Sequence, residues 1–253
     1  MVTAFERDGW VRFPIDPKVL AWVDRVKPAA EVAVVDPELA EWLQCEGTWF
    51  VGVDALANDV SGAVNGSGPL VGTAVDFVRA HFGEWPDLHR AQLSVVHPGY
   101  PRPREGEGES AFRYRLKRDA AHVDGLLPEG PERRRLLREP HAWILGLPLN
   151  RAAPEASPLV VWEGSHHVMG AAFRAAFATG GSGVDLTDTY QAARREVFET
   201  GTRREIAMQP GEAVLLHRHL LHGVAPWNAP DKGEGRMIAY FRPEMANIEG
   251  WFA

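Results

Sequence analysis

Apolar positions recur at intervals of three and four in the first third of the chain, in Lys18 to Lys27 (KVLAWVDRVK) and again in Glu38 to Cys45 (ELAEWLQC). That spacing predicts packing helices, and Pro17 and Pro37 stand where a first helical turn tolerates proline. A third helix is predicted over about 70 to 82, after the turn-rich stretch Asn65-Gly66-Ser67-Gly68-Pro69. The pattern changes at Ala91. Gln92 to His97 has strand composition and ends at Pro98-Gly99. Tyr114 to Lys117, Ala142 to Pro148, Leu159 to Trp162, Ala213 to His217 and Arg236 to Phe241 read as further strands. Pro101 to Ser110, polar and rich in Pro and Gly, reads as a loop. Met169 to Arg204 reads as a helical insertion broken at Gly180 to Gly183 and placed to cover a barrel mouth.

Many short strands separated by Gly and Pro turns, without regular strand-helix alternation, favour a sandwich or barrel over a parallel α/β sheet. At 253 residues the expectation is one domain. Residues 1–90 would form a mostly helical support, residues 91–243 a β core, and residues 169–204 an insertion.

Composition narrows the function. A formal net charge of -7, from 34 acidic and 27 basic side chains, provides no footprint for a phosphate backbone, so nucleic acid is not an expected partner. The basic run Arg133, Arg134, Arg135 and Arg138 reads most simply as a solvated face on a short helix. The competing reading is an anion-binding patch at a site entrance. Cys45 is the single cysteine and is expected to be buried filler. The charged N-terminus lacks a signal-peptide pattern, and no stretch approaches 18 uncharged apolar residues, so the expected location is cytoplasmic, away from membranes.

The candidate chemistry begins at His122-Val123-Asp124-Gly125. On extended backbone alternate side chains share a face, which places the imidazole and carboxylate on one side, about 7 Å apart along the strand. Two His and one carboxylate on one face of a metal leave the other positions open, as in non-haem Fe(II) oxygenases. By itself His-x-Asp arises often by chance. A later segment, Pro210-Gly-Glu-Ala-Val-Leu-Leu-His217 running to His222-Gly223, supplies a third ligand. His222 is preferred over His217 and His219, because the adjacent Gly223 lets backbone approach closely. Arg236 opens an otherwise apolar strand fourteen residues later. A cation aimed into a barrel needs an anion, either an internal carboxylate or a bound one.

These segments, with Ser157 to His166 (SPLVVWEGSH) between them, resemble the phytanoyl-CoA dioxygenase-like branch of the Fe(II)/2-oxoglutarate-dependent oxygenases. The resemblance spans roughly residues 92–243 and, more faintly, the opening Phe5 to Phe13. It implies a double-stranded β-helix (jelly-roll, cupin-like) barrel flanked by helices, of mainly β, α+β class. It implies Fe(II) on His122, Asp124 and His222, 2-oxoglutarate as co-substrate on Arg236, and O2 as oxidant. Trp143 and Gln92 correspond to positions that line the co-substrate pocket. The chain departs at Val224, where a hydroxyl residue is common. The implied reaction is hydroxylation or a related oxidation of a small-molecule C–H bond, with release of succinate and CO2. Asp124 argues against halogenation, since halogenating relatives carry a small residue there. The same triad loaded with zinc as a hydrolase, and a barrel that binds without turnover, are the rival readings. The substrate and oligomeric state are not legible.

Overall fold

The computed structural model describes residues 3–230 and 233–253. Its strands in chain order are β1 (Trp10–Phe13), β2 (Leu43–Gln44), β3 (Trp49–Leu56), β4 (Ala91–Val96), β5 (Leu126–Glu129), β6 (Arg134–Leu137), β7 (Trp143–Pro148), β8 (Leu159–Glu163), β9 (Thr202–Ile206), β10 (Ala213–His217), β11 (His222–Val224) and β12 (Arg236–Phe241). The α-helices are α1 (Ala4–Asp8), α2 (Pro17–Val34), α3 (Thr73–Phe82), α4 (Glu109–Lys117), α5 (Ser165–Gly180), α6 (Thr187–Thr200) and α7 (Ile248–Trp251). A seven-stranded sheet runs β1-β10-β7-β12-β4-β3-β2 and a three-stranded sheet β11-β8-β9, while β5 and β6 form a separate hairpin. Every recorded pairing is antiparallel.

The strands sort their side chains by parity. On β12, Met237, Ala239 and Phe241 point out of the large sheet into a core shared with Val19, Trp22, Val23 and Val26 of α2 and Val75 and Val78 of α3. Ile238 and Tyr240 point the other way, onto Ile144, Leu159, Val161, Val214 and Leu216, the apolar filling between the two sheets. Arg236 shares their parity. The outer face of the small sheet is covered in turn: Val160 and Trp162 meet Met169 and Phe173 of α5 and Tyr190 and Val197 of α6. The result is a β sandwich curled into a barrel, with helices on both outer faces, in agreement with the jelly-roll expectation.

Several local expectations change. Tyr114 to Lys117, read as strand, is the last part of α4. The basic run 133–138, read as a helix, contains β6 (Arg134–Leu137), the second strand of the β5–β6 hairpin, with Arg133 in the turn before it and Arg138 just after it. Alternation puts its successive arginines on opposite faces. Glu38 to Cys45, read as an α-helix, is a 3-10 turn (Pro37–Trp42) followed by β2. Strand β3 lies inside the stretch read as mostly helical, yet it pairs with β4 in the large sheet. Residues 202–204, assigned to the helical insertion, begin β9. Cys45 is buried, as expected. No helix among the described residues is long and apolar enough to cross a membrane.

Candidate metal centre

His122 forms an isolated antiparallel bridge with His222, while Asp124, read as extended in the sequence, stands in the turn that leads into β5. The two residues exchange both backbone hydrogen bonds, His122 N–H to His222 carbonyl at 2.8 Å and His222 N–H to His122 carbonyl at 3.0 Å. Two chain ends remote in sequence are thereby locked at the spacing of a sheet ladder. Gly223 makes this approach possible. A Cβ there would run into the Asp119 carbonyl oxygen and lie 3.1 Å from Ala121 Cα. Asp119 is itself fixed by Arg203, through two bonds of 2.8 Å, and the Tyr114 hydroxyl donates to the Ala121 carbonyl at 2.7 Å.

The three side chains converge. One ligand atom from each of His122, Asp124 and His222 lies within 4.8 Å of the others, the one such group of His, Cys, Asp or Glu among the described residues. His122 Nε2 stands 3.1 Å and His222 Nε2 3.8 Å from Asp124 Oδ1. Both imidazoles place Nδ1 2.9 Å from the carbonyl two residues earlier, Ala120 and Leu220 respectively. A backbone carbonyl accepts only, so each Nδ1 carries the proton and each Nε2 presents its lone pair to the centre. His217 and His219 lie elsewhere: His217 packs beside Phe5 and His166, and His219 against Trp251 and Phe173. His166 sets Nε2 3.1 Å from the Glu6 carbonyl, an internal packing role for the Gly-Ser-His turn.

Protonation favours a cation here. Burial pushes the Asp124 carboxyl upward, but the two imidazoles and the Arg242 guanidinium, 3.5 Å away, hold it well below the usual carboxylate range. Burial lowers His222 to about 4 against the pull of Asp124, leaving it neutral near pH 7. For His122 burial pulls down and Asp124 pulls harder the other way, so it is raised.

The triad opens onto two spaces. One is an inner cavity of about 190 Å³ walled by Val51, Ile144, Leu159, Val224, Gln92 and Tyr240. The other is a vestibule of about 610 Å³, walled by the His122 segment, α4, the β5–β6 hairpin and α6. Gln92, expected to line a co-substrate pocket, faces the inner cavity. Trp143 does not. It stacks on Trp85, ring centroids 5.3 Å apart, in the core against the helices, and its neighbour Ile144 takes the cavity-facing position. The strand is buried on both faces, so composition gave no hint of which parity pointed inward.

Arg236 points into the barrel as expected, 7% exposed, in a narrow crevice with Pro148, Asn150 and Met208 rather than on the triad cavity itself. All three guanidinium nitrogens are buried with no hydrogen-bond partner among the described residues. Its polar neighbour is the Tyr240 hydroxyl, which burial pushes up and Arg236 pulls back. Tyr240 in turn lines the triad cavity, linking the two places. Sequence reasoning missed Tyr240 and Arg242. Both follow from Arg236 by steps of two along one strand direction, and that parity was the available signal.

No family model matches the chain, and no curated protein does. Solved structures do match in fold. The non-heme alpha ketoglutarate dependent carbocyclase SnoK from nogalamycin biosynthesis is similar over 97% of this chain and 83% of its own, with a TM-score of 0.57 and 14% identity. EctD from S. alaskensis with bound Fe matches 94% of this chain and 73% of its own, with a TM-score of 0.51 and 19% identity. AviO1 from Streptomyces viridochromogenes Tue57 matches 96% of this chain and 93% of its own, at 0.50 and 16%. At these identities the likeness establishes a shared fold.

Proposed function

We propose that the chain is a non-haem Fe(II)- and 2-oxoglutarate-dependent oxygenase acting on a small molecule. The observation that carries this reading is the pairing of two features in one barrel: an open two-His-one-carboxylate triad, and a buried guanidinium with all three nitrogens unpartnered. A buried unpaired charge costs several kcal/mol, and a bound carboxylate removes that cost through bidentate hydrogen bonds. The donor set fits Fe(II), with His122 Nε2, His222 Nε2 and a carboxylate oxygen of Asp124 as ligands and the remaining positions free. Neighbours of the same fold are described as alpha ketoglutarate dependent, or hold Fe, which supports the reading.

Bound Fe(II) and 2-oxoglutarate would supply oxidative decarboxylation to succinate and CO2, coupled through O2 to oxidation of a C–H bond. The residues do the positioning. Arg236 takes the far carboxylate of 2-oxoglutarate, and Tyr240 and Gln92 offer polar contacts along the way. Val51, Ile144 and Leu159 keep that path dry. Arg242 holds the second oxygen of Asp124 away from free rotation. Since Asp124 keeps the third protein ligand in place, the outcome is hydroxylation or a related oxidation. The pieces quoted from the sequence resemble the phytanoyl-CoA dioxygenase-like branch and support placing the chain there.

Anaerobic titration of metal-free protein with Fe(II) and 2-oxoglutarate tests the reading. A weak visible charge-transfer band is expected, lost in His122→Ala. Absence of the band in the unsubstituted protein, or its persistence in that variant, sinks the idea. A zinc hydrolase would instead retain zinc on metal analysis and release no succinate.

A further inference from the structure

The vestibule is lined by five arginines, Arg104, Arg115, Arg135, Arg194 and Arg242, and three carboxylates, Glu107, Asp124 and Glu139. The carboxylates are taken. Glu107 pairs with Arg115, Asp124 with His122 and Arg242, and Glu139 with His141. Arg104, Arg135 and Arg194 make no ion pair among the described residues. This excess of positive charge lines a cavity in a chain whose net charge is -7.

Two of the three stand together. Arg194, on α6, lies over the rings of Tyr114 (4.7 Å from Cζ to centroid) and Tyr190 (5.0 Å). Arg135, on β6, lies 6.0 Å from the same Tyr190 ring and spends one nitrogen on the Leu126 carbonyl at 2.9 Å. Its neighbours along the chain behave differently. Arg134 pairs with Glu132 and Asp185, and Arg138 with Glu129, out in solvent. Burial and the nearby positive charge of Arg133 and Arg194 disfavour the charged form of Arg135, offset in part by Tyr190. Two guanidiniums braced against one shared aromatic ring, lining a cavity and lacking a counter-ion among the described residues, form an anion site waiting for its anion.

Resting on the oxygenase reading, we propose that the substrate carries a carboxylate or phosphate group held between Arg135 and Arg194 against Tyr114 and Tyr190. Its oxidisable carbon then extends across the vestibule toward His122 and Asp124. Residues 165–200, the two helices after β8, thereby contribute recognition as well as cover.

The test uses benzoate and inorganic phosphate as probes, titrated by calorimetry into full-length metal-free protein carrying Arg236→Gln, so that neither the metal nor the barrel guanidinium competes. Saturable binding with a Kd on the order of 10 mM or tighter is expected for at least one probe. The preferred probe identifies the group as carboxylate or phosphate. Adding Arg135→Gln and Arg194→Gln is expected to weaken it at least about tenfold, as two charge-assisted bonds require. Arg194→Gln alone, on a half-buried helix position, is expected to weaken it about threefold or more and guards against misfolding of the multiple variant. No saturation by either probe, or unchanged affinity in the folded variants, overturns the proposal. The Fe(II)/2-oxoglutarate band, recorded separately on protein with Arg236 intact, reports on the oxygenase reading by itself.

Discussion

The two faces of the seven-stranded sheet share every backbone hydrogen bond and differ in almost everything else. On β12 the outward residues Met237, Ala239 and Phe241 enter a continuous apolar core with α2 and α3, whereas the inward set contains Arg236 and Tyr240. On β4 the outward Leu93 and Val95 contrast with the inward Gln92 and Ser94. The outward face gains from burying apolar area, at about 25 cal/mol per Å². The inward face gives up part of that gain, since it buries the Arg236 guanidinium without a hydrogen-bond partner among the described residues. Such groups persist where they bind something, so the difference between the faces separates what folds this chain from what it does.

The comparison breaks if substitutions on the two faces behave alike. Trp143→Ala, on the outward face against Trp85, should remove about 3–5 kcal/mol of stability in urea denaturation. At temperatures where the variant stays folded, it should leave the Fe(II)/2-oxoglutarate band unchanged. Arg236→Met, on the inward face, should do the reverse. With no ligand present it removes an unpaired buried charge, so stability should rise, by about 1–4 kcal/mol. Affinity for 2-oxoglutarate should fall at least about a hundredfold while Fe(II) affinity barely changes, since bidentate recognition is lost. A stability loss in Arg236→Met would mean that the guanidinium has an internal partner after all, and the co-substrate assignment would fail with it.

Gly223→Ala probes the seam between the faces. Its new Cβ collides with the Asp119 carbonyl, so the His122 to His222 bridge must open, displacing two ligands together. The expected cost is about 1–3 kcal/mol of stability, with Fe(II) affinity lowered about 10–100-fold. Full metal affinity in this variant would show that the bridge does not position the ligands.

The triad was legible in the sequence because its parts are local. His122 and Asp124 stand one residue apart, and His222 carries its glycine beside it. Arg236 was legible because a lone charge in an apolar strand is itself an anomaly. Trp143 was misassigned because β7 is buried on both faces, and a run of six apolar residues does not reveal which parity faces inward. The hairpin at 126–137 and strand β3 were missed for another reason. Arg-rich β6 looks helical by propensity, and β3 interrupts a helical region, so only long-range pairing decides their state. Arg194 has Tyr190 one turn before it on α6, but its meaning depends on Tyr114 and Arg135 arriving from two other elements, which the sequence does not reveal.

The smallest expected effect concerns histidines outside the triad. His166, His217 and His219 form a buried cluster at the α1 end of β10. Burial holds His166 at about 4, while burial and the neighbouring positive groups hold His217 at about 2. The unfolded chain protonates them near 6.5, the folded chain only at far lower pH. Their neutral form is therefore fully compatible with the fold above about pH 6.5. Stability is lost as pH falls below that value, by about 1.4 kcal/mol per pH unit for each histidine, until the folded-state value is reached. His217→Asn keeps an acceptor near the position of Nδ1 for the His219 N–H and removes one titrating group. Between pH 6.5 and 4 the slope of its unfolding free energy against pH should be shallower by about 1.4 kcal/mol per unit, while Fe(II) affinity at pH 7 stays unchanged. An unchanged slope would mean that water reaches this cluster, and a lowered iron affinity would mean that the packing histidines and the metal histidines belong to one unit.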